Sequence, residues 1–224
     1  MIQATEIELR AGSELLLAGA TFRIDAGDKV GLVGRNGAGK TTLTRVLAGQ
    51  GLPASGQVTS SGSVGYLPQD PRTGDLEVTA RDRILSARGL DAIITRMRQL
   101  EVDMASTADD VRDKAMRKYA SAEAQFQTAG GYAAESEASS LAGALGLPVN
   151  ILAQQLGTLS GGQRRRVELA RILFSGADTL LLDEPTNHLD ADSITWLRSF
   201  LQNHQGGLIV ISHDVHLLEA TVNR

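Results

Sequence analysis

The amino-acid sequence predicts an α/β fold with a helical subdomain set into it, and three observations carry that prediction. Thr179-Leu180-Leu181-Leu182 and Gly207-Leu208-Ile209-Val210-Ile211 are continuous apolar runs of strand length, as expected of parallel strands buried on both faces. Lys29-Val30-Gly31-Leu32-Val33 reads as a further strand, and it feeds a glycine-rich loop. From about 76 to 157 the character changes to long helical stretches, with few β-branched runs and apolar residues three or four apart.

Taken in order, residues 2–33 hold short segments such as Thr21-Phe22-Arg23-Ile24-Asp25, separated by Ala11-Gly12 and Ala26-Gly27-Asp28, which read as strands and turns. After Thr41 the spacing of Leu43, Val46 and Leu47 suits a helix ended by Gly49 and Gly51, and Val64-Gly65-Tyr66-Leu67 suits another strand. In the helical stretch Ile93, Met97, Leu100 and Met104 form one stripe, and Val111, Ala115, Tyr119, Ala122 and Phe126 form a second. Ala105-Ser106-Thr107-Ala108-Asp109-Asp110 interrupts them with helix-capping residues. The pattern fits an antiparallel hairpin, and equally two ordinary packed helices of a helical domain. Beyond 158 strands and helices alternate again, and neither an internal repeat nor a low-complexity tract is present.

Composition narrows the classes. In 224 residues a 42% hydrophobic content is enough for a packed core. The chain has no cysteine, which excludes disulfide frameworks, thiolate zinc sites and cysteine nucleophiles and fits a reducing, cytoplasmic setting. A net charge of −4 from mixed residues gives no support for nonspecific nucleic-acid binding. No apolar run approaches the roughly 18 residues that would span a bilayer, and the N-terminus lacks the pattern of a signal peptide.

The loop Gly34-Arg35-Asn36-Gly37-Ala38-Gly39-Lys40-Thr41 matches G-x-x-x-x-G-K-[ST], in which glycines let backbone N–H groups close around phosphate oxygens. Lys40 is expected to meet the β- and γ-phosphates and Thr41 to coordinate Mg²⁺. The dinucleotide fingerprint is a poor competitor, because these glycines run G-x-x-G-x-G. Leu180-Leu181-Leu182-Asp183-Glu184 then places two acids where a buried strand ends, the ligand-facing edge of an α/β sheet. Asp183 would hold Mg²⁺ through water, and Glu184 would orient and polarise the attacking water. Leu159-Ser160-Gly161-Gly162-Gln163 opens a further helix, and its hydroxyl, exposed N–H groups and helix N-terminus make a second anion-binding surface. One γ-phosphate does not need two such cradles.

Together these motifs resemble the ATP-binding cassette superfamily of P-loop NTPases, whose signature is the Ser160-Gly161-Gly162-Gln163 segment, and the resemblance covers nearly the whole chain. It implies ATP and Mg²⁺ as cofactors, with phosphate held by Gly34, Asn36, Gly37, Ala38, Gly39, Lys40, Thr41 and Thr42. Gln69 looks like the family's Q-loop glutamine, which touches Mg²⁺ and the water, Leu189-Asp190 like its D-loop, and His213 like its switch histidine. Catalysis would then rest on Glu184, His213 and Lys40, and the metal on Thr41, Gln69 and Asp183. By the same resemblance residues 1–75 form a nucleotide-binding core with an antiparallel β subdomain, 76–157 a helical subdomain, and 158–224 the signature helix and the rest of the core. One position departs from the family pattern. Leu9-Arg10-Ala11-Gly12-Ser13 holds no aromatic residue to stack on adenine; Arg10 offers a guanidinium plane instead, and GTP use stays open.

Pro185-Thr186-Asn187-His188-Leu189-Asp190 resembles the wording of the ABC-F branch, two-cassette proteins that act on ribosomes as translation factors or antibiotic-resistance factors. That resemblance implies an inserted hairpin, the arm, at about 91–129, and an N-terminal cassette. The turn is acidic at Asp109-Asp110, which suits a short arm or one that faces ribosomal protein better than phosphate-rich RNA. Arg164-Arg165-Arg166 reads as a solvated or inter-subdomain face, with RNA contact as the alternative. Because the chain stops at Arg224 without a second cassette, the sequence reads as an excised domain; a natural end there would require a homodimer. The expected partners are a second cassette and the ribosome, with a transmembrane transporter chain as the alternative.

Overall fold

The computed structural model describes residues 1–70 and 74–223. The strands are β1 (Ile2–Ala11), β2 (Glu14–Ile24), β3 (Lys29–Gly31), β4 (Ser55–Ser60), β5 (Val64–Leu67), β6 (Thr179–Asp183) and β7 (Gly207–Ile211). The α-helices are α1 (Lys40–Leu47), α2 (Ala80–Leu85), α3 (Leu90–Met104), α4 (Asp109–Thr128), α5 (Gly131–Ala144), α6 (Val149–Leu152), α7 (Gly161–Phe174), α8 (Ala191–Asn203) and α9 (Val215–Thr221). They fall into two compact units, the first built from the N-terminal stretch, Ala144–Gly146 and the stretch from Ser175 onward, the second from the helical segment that includes Leu147–Phe174. Helix α7 therefore belongs to the helical unit, whereas sequence alone grouped it with the core.

The first unit holds two sheets. One is antiparallel in the order β2-β1-β4; the other is parallel in the order β3-β7-β6-β5. All five residues of β6 and all five of β7 are buried, which is why both read as unbroken apolar runs. Ile2, Ala4, Ile7 and Ile24 of the antiparallel sheet share a core with Leu47 of α1 and with Tyr66, Leu181 and Ile209 of the parallel sheet. Because β3, β6 and β7 run in one direction, their carboxyl ends deliver the phosphate-loop sequence, Asp183-Glu184 and His213 to one edge.

In the second unit α3 and α4 are joined by the short turn 105–108 and pack on Leu100, Ala115 and Ala122, flanked by Met97, Met104 and Tyr119. The Tyr119 hydroxyl donates to Glu101 at 3.1 Å across the pair, and Arg98 grips Asp82 of α2 with two bonds of 2.7 and 3.0 Å. The inward face of α3 runs through Leu90, Ile94 and Leu100, so Ile94, and not Ile93, is the buried member; Val111 is exposed. Glu168 of α7 is 2% exposed and is clamped by Arg83 at 2.5 Å and Arg171 at 2.9 Å. Two arginines on one buried carboxylate satisfy it from both sides.

Candidate nucleotide site

At the carboxyl edge of the parallel sheet the first unit encloses a cleft of about 680 Å³. Asn36, Gly37, Gly39, Lys40, Thr41, Thr42, Gln69, Asp183, Glu184 and His213 line it, together with Ala11, Leu16, Thr186, Asn187, Ile211 and Asp214. Gly34 and Ala38 belong to the loop without lining the cleft: the Gly34 carbonyl accepts from Lys40, and the Ala38 N–H donates to Arg35 at 3.2 Å. Ser160, Gly161, Gly162 and Gln163 belong to the second unit.

The loop turns into α1 at Gly39, whose φ of 87° is open to glycine and strained for any other L-residue. From the first turn of that helix the Lys40 ammonium donates to the carbonyls of Gly34 and Arg35 at 2.8 and 3.0 Å, so the cation sits inside the loop it serves. The Thr41 hydroxyl donates to Asp183 Oδ2 at 2.6 Å, bringing together two oxygens from segments 142 residues apart. Hard oxygen donors of this kind suit Mg²⁺, which keeps several waters and takes further ligands from phosphate. Among the described residues no group of three His, Cys, Asp or Glu gathers. Burial pushes the Tyr66 phenol, beneath α1, above the usual tyrosine range, and the Asp183 carboxylate adds to that rise.

Glu184 is 7% exposed and holds a left-handed backbone, with φ of 50°. Such a conformation costs about 1 kcal/mol or more for a non-glycine residue. Its N–H donates to the Ile211 carbonyl at 2.8 Å, which ties the bend to the neighbouring strand. One carboxylate oxygen accepts from the His213 N–H at 3.3 Å, and the other lies 3.4 Å from His213 Nε2. The His213 side chain is 72% exposed while that of Glu184 is 9% exposed, so the acid is fixed and the imidazole faces solvent.

The signature segment has a structural duty that the motif alone did not reveal. Ser160 Oγ accepts from the Gln163 N–H at 3.2 Å, and Gln163 Oε1 accepts from the Ser160 N–H at 2.9 Å, a reciprocal cap on α7. Serine followed three residues later by glutamine was the available signal. Arg10, offered above as a stacking plane, does not line the cleft: its Nε donates to Glu8 at 2.5 Å.

Comparison with known proteins decides the family. The ABC transporter family model matches residues 17–187. The chain belongs to the ATP-binding cassette family. It is 38% identical over 92% of its length to the tylosin resistance ATP-binding protein TlrC of Streptomyces fradiae, and 38% identical over 86% to the energy-dependent translational throttle protein EttA of Haemophilus influenzae. Its relatives thus include ABC-F proteins. The chain spans 38% of TlrC and 34% of EttA. Among solved structures it resembles the ATP-binding subunit of an ABC transporter (TM-score 0.73, 17% identity, 100% of this chain and 83% of that one). It also resembles RNase-L Inhibitor (TM-score 0.69, 24% identity, 100% of this chain and 36% of that one). These structures share its fold. Cassettes of this family are ATPases that pair with a second cassette. Among the described residues no helix is long and apolar enough to cross a membrane.

Proposed function

We propose that this chain is the N-terminal cassette of an ABC-F protein, which binds and hydrolyses MgATP at an interface shared with a second cassette and couples that cycle to the ribosome. The observation that carries this reading is the 38% identity, over most of this chain, to proteins named for tylosin resistance and for translational throttling. The α3–α4 pair, close to the expected 91–129, would be the arm of that branch.

In this reading Lys40 leaves the Gly34 and Arg35 carbonyls for the β- and γ-phosphates, a short move for a flexible side chain already inside the loop. Thr41, Asp183 and Gln69 would hold Mg²⁺, which when bound screens phosphate charge. Glu184 accepts a proton from the attacking water, and its buried, braced carboxylate keeps that water oriented. His213, close to Glu184 and exposed, orients the reacting end of the triphosphate. Ser160, Gly161, Gly162 and Gln163 serve a second cassette's nucleotide. The cap on α7 leaves the Ser160 hydroxyl proton available, since it engages the oxygen only as an acceptor.

The test is sedimentation with ribosomes of a full-length two-cassette protein carrying Glu184→Gln and the matching change in its other cassette. Pelleting in ATP and not in ADP is expected, because a cassette pair that cannot hydrolyse stays in the ATP-bound state. Nucleotide-independent pelleting would remove the coupling. The family model's description as an ABC transporter favours a second reading, the nucleotide-binding subunit of a membrane transporter, and capture by a transmembrane complex in place of the ribosome would select it.

A further inference from the structure

We infer that Leu16 is the wall against which the nucleotide's base packs, and that this aliphatic wall leaves the site unable to choose among nucleobases. The inference rests on reading the cleft as a nucleoside triphosphate site. Strand β2 opens Glu14-Leu15-Leu16-Leu17, three consecutive leucines that cannot all obey a strand's two-residue alternation. The pairing resolves the conflict. Leu15 lies opposite Arg10 and Leu17 opposite Leu9, so Leu16 is the extra residue of a β-bulge. A bulge re-aims one side chain and recurs beside functional sites.

Here it aims Leu16 at the phosphate loop. Leu16 is half-buried and lines the cleft with Ala11. It lies so close to Gly39 that a Cβ there would stand 3.0 Å from Leu16 Cβ and 3.1 Å from Cδ1. An apolar surface thus adjoins the loop that brings the polar Asn36, Lys40 and Thr41 to the cleft. Adenine, guanine and cytosine differ in the hydrogen-bond donors and acceptors on their ring edges, and the side chains of Ala11 and Leu16 carry neither. Arg10, the guanidinium nearest the hairpin turn, is held by Glu8 outside the cleft lining. What Leu16 supplies is contact in proportion to area, which is non-directional.

The experiment is calorimetric titration of the chain with MgATP, MgGTP, MgCTP and magnesium tripolyphosphate, which has no base. The three nucleotides are expected to agree within about threefold, and each to bind about tenfold more tightly than tripolyphosphate, from the burial of one ring face. Leu16→Ala should weaken all three nucleotides by a similar factor, about fivefold, and leave tripolyphosphate unchanged. Leu16→Tyr should raise the affinity of the two purine nucleotides above that of CTP, because stacking grows with ring area. A preference of about tenfold or more for ATP over GTP in the unaltered chain would overturn the inference, as would a Leu16→Ala loss equally large for tripolyphosphate. Tripolyphosphate binding as tightly as the nucleotides would overturn it while leaving the phosphate site standing. Failure of all four to bind would remove the nucleotide site and the inference together.

Discussion

Two buried glutamates, one in each unit, show how differently the two regions use charge. Glu168 lies mid-helix with ordinary backbone geometry, and Arg83 and Arg171 engage both of its oxygens. Glu184 sits just past the end of β6 with a φ of 50°, and its neighbour across the strands is an exposed histidine. In the helical unit a charge is buried together with its countercharge, and the backbone is relaxed. At the sheet edge the backbone is bent at a cost so that an acid faces a cleft, and the positive φ of His188 extends that bend through the following turn. Burial alone does not make these two carboxylates alike; the partner and the backbone set them apart.

Substitutions break this comparison at different places. The largest effect is expected from Glu184→Gln in the paired cassettes, where steady-state phosphate release should fall by about a thousandfold with the melting temperature little changed. A melting shift as large as that of a core mutant would make Glu184 a structural residue after all. Glu168→Ala should act the other way round. It leaves two arginines about a missing countercharge and should lower the unfolding free energy by about 3 kcal/mol in a denaturant titration. Calorimetry on Lys40→Ala should record a loss of about a hundredfold in MgATP affinity, from two charge-assisted contacts, with stability unaltered. The smallest effect is the sharpest: Glu184→Gly removes the side chain and the strain together, so thermal unfolding should show a gain of about 1 kcal/mol in a protein without hydrolysis. A loss there would mean that the bend is not strained.

What was legible in the sequence follows the physics of each signal. The runs at β6 and β7 were readable because a strand buried on both faces must be apolar throughout, and the loop before α1 because its glycine pattern answers a backbone demand. Strand β4 escaped notice: Ser55-Gly56-Gln57-Val58-Thr59-Ser60 is mostly exposed and carries no hydropathy signal. It is recognisable only once Gly56 is seen beside β1, where a Cβ would come 2.2 Å from the Glu6 carbonyl oxygen. On α3 Met97, Leu100 and Met104 pack as read, and the misplaced member of the stripe is Ile93, since Ile93 and Ile94 fit the same spacing and only packing selects between them. The left-handed turn at Glu184 and the bulge at Leu16 had no sequence signature, because neither position carries a glycine.

The register of β6 against β7 has a consequence for how this molecule can change over generations. Asp183 pairs with Ile211, so Glu184 and His213 each emerge just beyond a matched rung, and their separation is inherited from the spacing between strands. A residue gained or lost at the amino-terminal approach to β7, around Asn203 to Gln205, changes the length of a connection and leaves the rungs aligned. The same change inside either strand turns every later side chain to the opposite face and carries the acid or the imidazole away from the cleft. Insertions in descendants of this chain should therefore collect at one end of the sheet and be purged from the other.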